Sequence, residues 1–172
     1  MNDTADNATG PVGPERLATI FRRHAAALEL YARQFCGAAD DVVQEALIEL
    51  AARAEAPDDD VAWLYGTVRY KAISAARGQR RHRRRENRAA EARSAWFVDL
   101  NEQAVDAQIA ASTLRALPAE QREVVVAHVW GGLSFERIGR LTKTSRGTAH
   151  RRYRSALSAI RKKLRVSCPE KD

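Results

Sequence analysis

Eleven lysines and arginines lie between Arg137 and Arg165 with no acid among them, and a second island from Arg77 to Arg93 holds eight arginines against two glutamates. The chemistry open to such residues is the binding of a polyanion. Guanidinium and ammonium groups pair with phosphate, and arginine also bonds bidentately to guanine. The islands carry +11 and +6 of a formal net charge of +7, so the rest of the 172-residue chain carries 7 − 17 = −10. An acidic body with two basic islands points to two surfaces aimed at nucleic acid. The plainer alternative is a pair of solvated charged faces. Catalytic chemistry finds little footing. His24, His82, His128 and His150 fall on separate elements without ligand spacing, and Cys36 and Cys168 suit neither a metal site nor a disulfide framework. No Gly-rich phosphate loop, nucleophile elbow or HExxH occurs. No metal, no cofactor and no enzymatic activity is expected.

The elements that must position these residues read as helices throughout. Leu17, Ile20, Phe21, His24, Leu28, Tyr31 and Phe35 recur at helical steps up to Gly37, as do Val43, Ala46, Leu47 and Leu50 after Asp40 and Asp41. A third stripe comprises Val61, Leu64, Tyr65, Val68, Ala72, Ile73 and Ala76, with Asp58 to Asp60 placed where the positive end of a helix dipole favours acids. No segment alternates with period two. The expected fold is all-α, with two small helical modules joined by a flexible linker. Residues 1–14 read as a disordered lead-in, 15–79 as the first module, 80–105 as a basic linker, 106–166 as the second module and 167–172 as a tail. Trp96 to Leu100 forms a short apolar patch within the linker. No apolar run approaches the roughly 18 residues of a membrane span and the start is no signal peptide, so a soluble, cytoplasmic protein is expected.

In the second module Pro118 suits a helix start, and Gly131 and Gly132 a helix end. Ser134 then caps about two turns, Thr142 to Thr144 form a turn, and Ser145 caps a long last helix with Ala149, Tyr153, Ala156, Leu157, Ile160 and Leu164 inward. Two helices joined by such a turn, with basic residues on the second, describe a helix-turn-helix. Gly139 inside the first implies a close approach. His150, Arg151 and Arg154 project opposite Ala149 and Tyr153, where the first turns of a recognition helix meet base edges. Arg146, Thr148 and Arg152 suit phosphates. In the first module Trp63, Thr67, Tyr70, Ser74 and Arg77 share a face apart from the apolar stripe, suited to stacking and tracking of a single strand, with Trp63 as plain core the alternative. Asp40, Asp41, Gln44 and Glu45 lie on the exposed side of the second helix, where they suit a basic partner or merely the helix dipole.

Several of these strings together resemble the extracytoplasmic-function (ECF) group of bacterial sigma factors. Ala116-Leu117-Pro118-Ala119-Glu120-Gln121-Arg122-Glu123-Val124, Gly132-Leu133-Ser134-Phe135-Glu136-Arg137-Ile138 and Gly147-Thr148-Ala149 resemble its region 4. Asp40-Asp41-Val42-Val43-Gln44-Glu45 and Ala62-Trp63-Leu64-Tyr65 resemble its region 2. The resemblance implies a non-catalytic protein that binds core RNA polymerase and directs it to promoter DNA. It places His150, Arg151 and Arg154 on −35 bases, the Trp63–Arg77 face on the −10 element, and Asp40 to Glu45 on the polymerase clamp. It also implies an anti-sigma protein as a further partner. The sequence departs from the family pattern at several positions. His150 stands where Lys or Arg is usual, Tyr70 where Asn is, Ser74 where Asp is and Lys143 where Gly is. Ala38 and Ala39 deplete the acidic motif, and the loop at 55–60 is strongly acidic. A helix-turn-helix regulator acting without polymerase, or a basic RNA-binding protein, are the competing readings.

Overall fold

The computed structural model describes residues 10–85 and 111–167. Among these residues every regular element is a helix: α1 (Pro14–Ala32), α2 (Ala39–Ala51), α3 (Asp60–Arg85), α4 (Ala119–Val129), α5 (Phe135–Thr142) and α6 (Arg146–Ser167). Residues 111–115 are also helical. The Trp96–Leu100 patch and Cys168 lie outside the described residues, as does the island from residue 86 onward.

Proline at the start of α1 costs nothing, because the first-turn N–H groups have no intrahelical partner. The helix ends five residues before Gly37, and a tight turn follows in which Phe35 N–H donates to the Ala32 carbonyl at 2.9 Å. Ile20, Leu28 and Tyr31 are buried as their spacing predicts, but Phe21 is 53% exposed. Its step falls on the flank of the stripe, which α2 and α3 do not cover. In α2 all four predicted positions are buried, and the helix begins at Ala39, leaving Asp40 and Asp41 in its first turn. Asp59 caps α3 by accepting from the Ala62 N–H at 3.1 Å, and Asp60 is held by Arg16 at 2.8 Å. Leu64, Tyr65, Val68 and Ala72 face the first-module core. The helix then continues through Arg85, past the end of its apolar stripe and into the stretch expected to be linker. Each fully buried Leu, such as Leu28, Leu50 or Leu64, contributes about 1.5–3 kcal/mol.

The second module packs α4 against α5 and α6. Five consecutive residues of α4, Glu123 to Ala127, are all buried. A two-layer bundle would leave one side of such a helix in water, so something else covers it. The cover is the first module: α1 touches α4 and α3 touches α5. The two cores are continuous, from Tyr31 and Tyr65 to Val124 and Leu133.

Candidate nucleic-acid and polymerase interfaces

The helix-turn-helix is fixed by its turn. Ser134 Oγ accepts from the Arg137 N–H, and Ser145 Oγ accepts from the Thr148 N–H at 3.0 Å, so both helices carry the caps their sequence predicts. Between them Lys143 closes α5 in the left-handed region, with φ 56° and ψ 43°. Gly139 permits the sharp crossing. A Cβ there would lie 2.9 Å from the Thr144 carbonyl oxygen and 3.1 Å from the Arg146 nitrogen, both backbone atoms that cannot swing aside.

This frame presents the first turns of α6 outward. His150, Arg151, Arg154 and Arg146 are exposed and Thr148 is half-buried. The His150 ring stands edge-on to Phe135 at 5.1 Å, and Phe135 in turn stacks on His128 at 4.3 Å and meets Tyr153. His128 is anchored by Nδ1 against the Leu133 carbonyl at 2.8 Å. An aromatic stack thus supports the one histidine among the expected base readers. Arg152 differs from its neighbours. Its side chain is 23% exposed and forms an ion pair with Glu120 of α4, so the residue expected to meet phosphate also ties two helices together.

On α3 the expected single-strand face is graded. Tyr70 is 76% exposed, and Ser74 and Arg77 are exposed. Thr67 and Trp63 are half-buried, with Trp63 against the core and the Arg53 guanidinium 5.3 Å over its ring. Trp63 therefore belongs partly to both alternatives. On α2 Asp40, Asp41, Gln44 and Glu45 are all exposed. Glu45 pairs with Lys71 at 3.2 Å, and Ile48, one turn on, is 68% exposed. The acidic face thus carries an apolar residue as well. Among the described residues no group of His, Cys, Asp or Glu could hold a metal ion. Nor is any helix among them long and apolar enough to cross a membrane. Cys36 is a buried free thiol whose pKa is raised by burial.

Sequence reasoning missed the polar cluster between the modules. Glu123 Oε1 accepts from the Tyr31 hydroxyl at 2.6 Å and from Arg69 Nε at 2.7 Å. Burial first, and then the charge of Glu123, pushes the Tyr31 phenol well above its ordinary range, so it stays a donor. At the rim Arg137 of α5 pairs with Asp59 at 2.7 Å. Between Tyr70, Ser74 and Arg77 on one wall and Arg137, Arg140 and Lys143 on the other runs a cleft of about 840 Å³. The signal available was Glu123 itself, a lone acid at the head of an apolar run.

Two stretches of the chain match known families: residues 20–82 match sigma-70 region 2, and residues 101–160 match sigma-70 region 4. The chain belongs to the sigma-70 family, in its ECF group. Sigma factors bind core RNA polymerase and direct it to promoters, and the two matched stretches are the modules of that task. The fold is similar to the sigma factor RpoE from Bartonella quintana, solved with the anti-sigma factor NepR. The identity is 21%, over 90% of this chain and 99% of that one, with a TM-score of 0.68. It is also similar to CnrH, solved with the cytosolic domain of CnrY, at 21% identity over 91% and 92% of the two chains, with a TM-score of 0.57. No curated protein matches the sequence.

Proposed function

We propose that this sigma factor reads −35 duplex DNA through His150, Arg151 and Arg154, with Arg146, Thr148 and Arg152 on phosphates. The Tyr70–Ser74–Arg77 side of α3, together with Thr67 and Trp63, handles the −10 element. Asp40, Asp41, Gln44 and Glu45 dock on core polymerase. The observation that carries the reading is the presence of region 2 and region 4 in one chain, in family order, with those side chains on exposed or half-exposed faces. It is a binding protein rather than a catalyst, working in the cytoplasm where its polymerase and promoters are. An anti-sigma protein is a further partner by likeness, since both similar structures were solved with one or with the cytosolic domain of a partner.

The test is reconstitution with core polymerase and promoter fragments from its own genome, reading run-off transcripts. Specific initiation is expected. A chain that forms no complex with core overturns the reading, and one that binds duplex DNA alone and regulates without core favours a plain helix-turn-helix regulator.

A further inference from the structure

We propose that Phe135 helps to set −35 specificity as a positioning residue, by holding the His150 ring in the orientation that reads its base. That role presupposes the proposed contact of His150 with a −35 base edge. His150 is exposed on the first turns of α6, and its ring stands edge-on to Phe135 with centroids 5.1 Å apart and planes at 74°. Separation and angle both fall in the range that aromatic pairs prefer. Phe135 is half-buried and is itself held by rings from two other helices. His128 of α4 stacks on it at 4.3 Å with 26° between the planes, and Tyr153 of α6 meets it at 5.3 Å. Tyr153 also stands edge-on to His128 at 4.9 Å, which closes the cluster. His128 is tied in turn to the Leu133 carbonyl at 2.8 Å, and because a carbonyl only accepts, its Nδ1 carries a proton. Three helices thus meet under one exposed ring.

The chemistry of histidine makes such support matter. Its two ring nitrogens are fixed to a small, rigid plane, so each rotamer presents a different edge to the groove. A hydrogen bond weakens steeply once donor, hydrogen and acceptor leave line, so a ring that turns freely discriminates poorly between bases. Orienting the ring before DNA arrives removes the ordering cost from the binding step. An arginine at the same position would carry five donors on a long stem and would not depend on a ring beneath it. His150 and Phe135 therefore function as a pair. Phe135 also packs against the core, so its stability role must be separated from its effect on reading.

The test is a double-mutant cycle in the full chain assembled with core polymerase. Affinity is measured for promoter fragments carrying each base at every −35 position. His150→Ala identifies the position that His150 reads, as the one where the ratio between best and worst base collapses. Phe135→Leu should lower that same ratio about three- to tenfold, the worth of an aromatic pair, and leave the other positions alone. Phe135→Tyr keeps the ring and should keep the ratio. In the His150→Ala background Phe135→Leu should change the ratio no further, whereas a merely structural role would cost the same in both backgrounds. In the free chain, the His150 Hε1 and Hδ2 resonances should move in Phe135→Leu and hold in Phe135→Tyr. If Phe135→Leu melts below the assay temperature, His128→Leu loosens the same stack from its far side and should lower the ratio in the same direction. A ratio unmoved by loss of the ring, or an equal loss in both backgrounds, overturns the positioning role and leaves base reading by His150 standing. If His150→Ala flattens no position, the base reading itself fails and the role of Phe135 falls with it.

Discussion

At the scale of single residues, the proposed roles along the exposed end of α6 separate reading from holding. Arg151 projects freely enough to meet a guanine edge, a contact worth about 1–3 kcal/mol of discrimination. Arg151→Ala should therefore flatten the −35 preference in a binding series over variant sites, while Arg146→Ala weakens all sites alike and lowers the salt slope by about one. Equal losses for Arg151→Ala and Arg146→Ala across all sites would refute the division. His24 carries a different kind of test. Burial first, and then Arg23, lowers its pKa, so the neutral ring is favoured in the folded state. Its contribution to stability is complete above the ordinary value of 6.5 and is lost as the pH falls through the depressed one. Denaturant midpoints at pH 7.5 and pH 5.5 should differ less in His24→Gln than in the parent.

At the scale of elements, the turn of the helix-turn-helix is the most sharply determined piece. Lys143 holds a left-handed conformation that costs an L residue about 1–2 kcal/mol. Lys143→Gly should return part of that, raising Tm by roughly 2–4 °C. Gly139→Ala should do the reverse, costing about 1–3 kcal/mol because backbone, not side chain, fills the space. A thermal melt of each variant decides both. Gly139 was legible in the sequence as a glycine inside a helix, a local signal with a local cause, whereas Lys143 stood out through the resemblance, as a departure from the family's turn glycine. The caps Ser134 and Ser145 and the α2 stripe were legible as well. What sequence periodicity could not supply was the fate of residues whose partners lie far along the chain. Phe21 has the right step for a core position yet faces water, since helical phase says nothing of where the neighbouring helices stop. Glu123 and Arg152 look like ordinary helix charges, and only the approach of another element decides that one is buried and the other paired. Trp63 fell between two readings because a large ring at the margin of α3 serves both.

At the scale of the whole molecule, the proposed docking residues lie on α2 and the proposed −35 readers on α6, so the proposal makes polymerase docking and −35 reading separable. Asp41→Lys combined with Gln44→Ala should weaken core binding by roughly tenfold or more. Duplex affinity should be unchanged, as gel shift with and without core would show. Ile48, exposed on that helix, adds an apolar residue beside the charges of the proposed docking face. The net charge of +7 is then a sum over surfaces with different partners rather than a property of the whole. The contact between Glu123 and its two partners also sets an order in time. Tyr31 precedes Glu123 by 92 residues and Arg69 precedes it by 54. At a synthesis rate of about 5–20 residues per second, Arg69 leaves the ribosome roughly 3–11 s before Glu123 does. A nascent chain therefore passes through a window in which its first module is complete and uncovered.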